Sequence, residues 1–90
     1  MLPGPKLCPP RIQQTIDDYV NKGYPPGSFL MMVLLNHLSD AVFRADKISM
    51  ENLGPIVAYV YENVPIEIRG ESHAIHRHIE KFEQARKAVK

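Results

Sequence analysis

The sequence predicts an all-α fold: a compact bundle of about four or five short helices behind a proline-rich N-terminal arm. Three observations predict it. Apolar residues recur at helical rather than alternating intervals along most of the chain. Glycine, proline and small polar residues punctuate those stretches where helices start and stop. And 90 residues supply one hydrophobic core, not two. The expected organisation is an extended arm over residues 1–10 and a single helical domain over residues 11–90.

In chain order, Pro3, Pro5, Pro9 and Pro10 each lack a backbone donor and fix their own φ, so the arm reads as extended. Ile12, Ile16, Tyr19 and Val20 then mark one helical face, with Asp17, Asp18 and Lys22 turned outward, which predicts a helix from about Pro10 to Lys22. Gly23 is its left-handed stop, and Pro25, Pro26 and Gly27 make a stiff turn before Ser28. The run from Phe29 to Leu38 is apolar on nearly every side and predicts the central helix. Ser39 and Asp40 either restart a third helix carrying Ala41, Val42, Phe43 and Ala45, or lie within a continuing second one.

A turn over Asp46–Ser49 precedes a helix from Met50 to Val64, broken or kinked at Gly54-Pro55. Pro65 ends it, and Ile66 to Ile68 is too short and isolated for a sheet, so it reads as a connector. Gly70 and Ser72 open the last helix, whose stripe is Ile75, His78, Ile79, Phe82, Ala85 and Val89. Ser28, Ser39, Ser49 and Ser72 all fall where helices begin, which capping explains without a nucleophile.

Composition narrows the function classes. The apolar fraction of 44% and charged fraction of 23% suit a folding chain. Net charge is +1, which offers neither the basic excess of a sequence-tolerant nucleic-acid binder nor the acidity of a DNA mimic. No apolar run approaches the ~20 residues of a membrane span. A single cysteine, Cys8, allows no intrachain disulfide and suits a reducing cytoplasm; in a proline-rich arm it reads as an incidental thiol. No glycine-rich phosphate loop occurs.

The most chemical-looking feature is the run His73-Ala-Ile-His76-Arg-His78 with Glu80 following. On a helix His73 and His76 share a face, and Glu80 lies one turn beyond His76, while His78 points elsewhere. That is a possible three-ligand set, but it lacks the surroundings of a metalloenzyme motif, and ordinary polar helix positions are the simpler reading. No metal, cofactor or catalytic residue is therefore expected. Tyr59 and Tyr61, two apart on one helix, cannot both face a core. The exposed one is either a rim tyrosine packed by its neighbours or an aromatic anchor for a partner, and the expected binding residues are Tyr24, Arg44, Tyr61, His73 and His76.

Ile16-Asp17-Asp18-Tyr19, Gly23 to Leu30, Ala45-Asp46 and Val60-Tyr61-Glu62-Asn63-Val64-Pro65 form a pattern over Ile16–Pro65. It resembles a group of small, uncharacterised bacterial proteins often borne by phages and other mobile elements. The chain departs from that group in its Met-rich MMVLLNHL, its arm and its histidine-rich last helix, and has His37 where the group carries an acidic residue. The resemblance implies no enzymatic activity. It implies a non-enzymatic accessory factor, cytoplasmic, that inhibits or modulates a host protein or protein complex in the manner of anti-CRISPR and other anti-defence proteins; a homodimer is compatible, and neither membrane nor nucleic acid is expected as partner. Two alternatives stand beside it: an oligomer that sequesters a nucleotide signal, and a metal-dependent or nucleic-acid-directed enzyme built on His73, His76 and Glu80.

Overall fold

The computed structural model describes residues 8–88. Most of the expected arm, residues 1–7, and the expected last-helix positions Val89 and Lys90 lie outside the described residues. The described chain is all-α, with six α-helices: α1 (Pro10–Lys22), α2 (Ser28–Leu34), α3 (Leu38–Arg44), α4 (Lys47–Glu51), α5 (Leu53–Asn63) and α6 (Ser72–Ala88), with a 3₁₀ turn (Ile66–Ile68) before α6. No strand occurs among the described residues. The count exceeds the expected four or five because two apolar runs are each divided by a local break.

α1 matches its expected limits. Pro10 opens it, where a missing N–H costs nothing, and Gly23 closes it at φ +68 with its N–H on the Tyr19 carbonyl. Ile16 and Tyr19 are buried and Ile12 and Val20 partly so. Gly23 has a second duty. A Cβ there would lie 2.5 Å from Phe82 Cβ of α6, so the glycine is also what lets α6 approach the end of α1.

The central apolar run does not continue to Leu38. It stops at Leu34, because Asn36 adopts φ +63 and forms a Schellman ending: its N–H bonds the Val33 carbonyl and the His37 N–H bonds that of Met32. Gly70 donates to the Leu34 carbonyl at 2.7 Å, satisfying another end-group of α2. α3 then starts at Leu38, with His37 at the N-cap position and no side-chain capping bond.

The second break also falls elsewhere than expected. Residues 47–51 are helical rather than a turn, and the interruption is at Asn52, so that Gly54-Pro55 forms the first turn of α5, where proline is tolerated. None of the four serines acts as a helix N-cap among α1 to α5. Ser28 is the first residue of α2 behind Gly27, Ser39 lies inside α3, and Ser49 instead donates its N–H to the Asp46 carboxylate at 2.7 Å. That bond, from the true cap of α4, holds the Asp46 carboxyl below its usual range. Ser72 is the first residue of α6.

The core joins Ile16 and Tyr19 of α1, Leu30, Val33 and Leu34 of α2, Ala41 of α3, Ile56 and Val60 of α5, Val64 beyond it, and Ile75 and Ile79 of α6. Cys8 belongs to it too. At 4% exposure it is a core residue and not an incidental thiol of an arm, so the packed domain begins before residue 11. Burial and then the charge of Asp17 push its thiol pKa up, which keeps it protonated and unreactive.

Two measurements probe these contacts. Gly23→Ala should cost roughly 2–4 kcal/mol, since the left-handed angle costs about 1–2 and overpacking against Phe82 about 1–3; Gly27→Ser, with extended angles and open space, should stay within about 0.5 kcal/mol of the parent. Thermal melts followed by circular dichroism read both. Tyr19 is fully buried, its phenol pushed up to about 12 by that burial. A raised folded pKa means stability that is complete below about pH 10, the unfolded value, and lost as pH climbs toward 12. Urea midpoints should therefore fall across that interval, and Tyr59→Phe should remove part of the slope, because the Tyr59 phenol is likewise raised to about 12.

Candidate functional site

The exposed aromatic side chains are where the surface is chemically distinctive. Tyr24 follows the Gly23 stop and is 46% exposed. Arg86 of α6 sets its guanidinium carbon 5.3 Å from the ring centroid, and Lys22 its ammonium 5.9 Å away. Arg86 is held there by donating Nη1–H to the Lys22 carbonyl at 2.8 Å, a basic side chain meeting the carbonyl end of α1. Lys22 in turn reaches Asp18 at 3.5 Å. One aromatic face thus sits beside two cations.

Tyr61 of α5 is 48% exposed and forms a second neighbourhood. Its hydroxyl donates to Asn36 Oδ1 at 2.9 Å, and the Arg69 guanidinium carbon stands 4.4 Å from its ring centroid. Arg69 is oriented by donating Nε–H to the Val64 carbonyl at 3.0 Å. The residue in left-handed geometry at the α2–α3 corner is therefore also the hydrogen-bond partner of an exposed ring. Cation–π contacts of this kind contribute about 0.5–1 kcal/mol each at exposed sites.

Arg44, His73 and His76 are exposed. Arg44 Nη1 donates to the Asp40 carbonyl at 3.4 Å, a long bond on its own helix. Tyr24 and Tyr61 have different immediate neighbours, Lys22 and Arg86 for the first and Asn36 and Arg69 for the second. His73, His76 and Glu80 are exposed on α6, and among the described residues no three His, Cys, Asp or Glu side chains come together to hold a metal ion.

His78 turns inward, as its place in the apolar stripe predicts. Its Nε2 donates to the Tyr19 carbonyl at 2.7 Å, which fixes the ring proton on that nitrogen, and its ring packs edge-on against Tyr19 and Phe82. Asp17 differs from expectation. It is half-buried rather than turned to solvent, because Tyr59 of α5 donates to its Oδ1 at 2.7 Å, and the loss of that donated proton is what most raises the Tyr59 pKa. Among the described residues every buried side-chain nitrogen and oxygen has a hydrogen-bond partner.

Four features of the surface are invisible to periodicity. Lys22 and Arg86 meet across 64 positions of sequence, and Arg69 finds Tyr61 only through the turn at Pro65. Phe43, read from the sequence as part of an apolar helix, is 85% exposed. A groove of about 450 Å³ runs between the start of α1 and α4, lined by Pro9, Pro10, Ile12 and Ile48 with Arg11 and Asp46 as its charges. Chemically, the Tyr24 and Tyr61 neighbourhoods can stack on a flat ligand or a partner's aromatic and meet its negative charge.

If the histidines of α6 are ordinary surface positions, zinc or nickel titrated into the protein should give no saturable heat, and His73→Ala/His76→Ala should leave the heats and the melting temperature unchanged. No helix among the described residues is long and apolar enough to cross a membrane. In comparison with known proteins, the chain matches no family model, no curated protein and no solved structure.

Proposed function

We propose that this chain is a non-enzymatic binding protein, a phage or mobile-element accessory factor of the anti-defence kind that acts by occupying the surface of a host protein or protein complex. One observation carries the reading: the two tyrosines left exposed, Tyr24 and Tyr61, are each flanked by an arginine that the fold anchors to a backbone carbonyl. Tyrosine and arginine dominate the energetically important positions of protein interfaces, and anchoring them in advance lowers the ordering cost of association. Among the described residues the thiol is buried, with its pKa raised, and the buried polar side-chain groups are paired. The resemblance to small phage-borne helical proteins points in the same direction and supplies the biological setting.

A second reading, an oligomer that sequesters a nucleotide signal, is favoured by the Tyr24 neighbourhood specifically. A ring that stacks a base beside two cations that meet a phosphate is the composition nucleotide recognition requires. The two readings differ in what Arg86 contacts.

Capture from host lysate should recover a stoichiometric protein partner, and Tyr24→Ala/Tyr61→Ala should weaken that capture by at least tenfold while the circular dichroism stays that of the parent. Recovery of no partner sinks the first reading. Calorimetric titration with a panel of linear and cyclic nucleotides separates the second: saturable heat abolished by Tyr24→Ala and by Arg86→Ala would favour sequestration, and a blank titration would remove it.

A further inference from the structure

The long-range bonds of this fold are unevenly distributed. Tyr19 reaches Ile68 and His78, Asp17 reaches Tyr59, Leu34 reaches Gly70, Asn36 reaches Tyr61 and Lys22 reaches Arg86. These bonds tie α1, the end of α2, α5, the 3₁₀ turn and α6 to one another across the sequence. Residues 38–51, which form α3 and α4, take no part. Among the described residues every hydrogen bond they make has its partner within four positions, and neither an ion pair nor a ring contact reaches them.

Packing holds this stretch as lightly. Its buried residues are Ala41 and Ser49, both small, with Val42 and Ala45 half-buried. Leu38, Phe43, Ile48 and Met50 are exposed, four of the seven exposed large apolar side chains of the described structure, so most of the apolar area of the stretch stays outside the core. α3 packs chiefly on α2, and α4 chiefly on α5. At seven and five residues, both helices fall well short of the ~12–15 that can hold themselves in water. Little burial therefore opposes the chain entropy regained when these fourteen residues are released.

We infer that residues 38–51 form a strap that opens as one unit while the remainder of the core stays folded. Its hinges are the two asparagines that divide the apolar runs. Asn36 remains with α2, its N–H on the Val33 carbonyl and its side chain on Tyr61, and Asn52 remains with α5, its carbonyl accepting from Ile56. Of the apolar core cluster the opened strap gives up Ala41 alone. It uncovers the side of α2 on which α3 lies. That helix has Leu30, Val33 and Leu34 buried and Phe29, Met31 and Met32 half-buried, so opening adds apolar helical surface that the closed strap covers. Segments that move on binding are drawn from the least stable part of a fold, and here that part is the strap.

Native-state hydrogen exchange of the full chain across low urea concentrations, read amide by amide, tests the strap at a pH where exchange reports the opening equilibrium. Amides of α3 and α4 should be protected at least about a hundredfold less than those of Tyr19, Val33, Val60 and Ile79, with a shallower urea dependence. Ile75→Val trims a fully buried side chain of α6. It should speed the core amides about two- to tenfold and leave α3 and α4 unchanged, because the core is intact when the strap opens. Asp46→Ala removes the cap of α4 and should speed the amides of α3 and α4 alike, by about fivefold. Protection and urea dependence in α3 and α4 equal to those of the core overturn the inference, as does an Ile75→Val variant in which they accelerate as much as the core does. If Asp46→Ala speeds α4 and leaves α3 unchanged, the two helices open separately and the single strap is overturned.

Discussion

Tyr19 is the point through which the fold is tied together. Its side chain has no exposed area, its hydroxyl donates to the Ile68 carbonyl at 2.6 Å, its own carbonyl accepts from His78, and its ring meets the His78 ring edge-on. One residue of α1 thereby fixes the 3₁₀ turn and α6. A buried tyrosine must find a partner for its hydroxyl, and here the partner is a backbone carbonyl 49 positions away. The position of the turn, and with it the path into α6, follows from that requirement.

The same junction sets the Tyr24 neighbourhood. Gly23 ends α1 without a Cβ, Phe82 occupies the space that a Cβ would take, and α6 continues alongside until Arg86 reaches the Lys22 carbonyl. The cations beside Tyr24 are therefore products of core packing one turn below them. Tyr61 depends on a different constraint. The left-handed Asn36 both ends α2 and offers its side-chain oxygen to the exposed ring, so one helix ending shapes the core and the surface together.

Polar contacts between α1 and its neighbours share this logic of long-range satisfaction. Asp17 would be an outward residue on an isolated amphipathic helix, but α5 brings Tyr59 against it. Cys8, preceding a double proline, is drawn into the core close to the same carboxylate, and Gln13 donates to its carbonyl at 2.7 Å. Packing thus reaches beyond the start of α1 into the residues that precede it.

By itself the sequence determined the all-α class, the limits of α1, the left-handed stop at Gly23, the inward positions Ile75, His78, Ile79 and Phe82 of the α6 stripe though not Ala85, which is exposed, and that Tyr59 and Tyr61 could not both face the core. Each of these depends on local periodicity or on a backbone angle that one residue type prefers, and both are written in neighbouring letters. Tertiary structure alone decided where the apolar runs divide, because Asn36 and Asn52 are neither glycine nor proline and their role as breaks depends on what packs beyond them. It also decided that Asp17 turns inward, that Phe43 is left outside, and that Arg86 and Arg69 flank the two exposed tyrosines. Those outcomes join residues distant in sequence, and a hydrogen bond or ring contact across such a distance exists only once the chain has closed around its core.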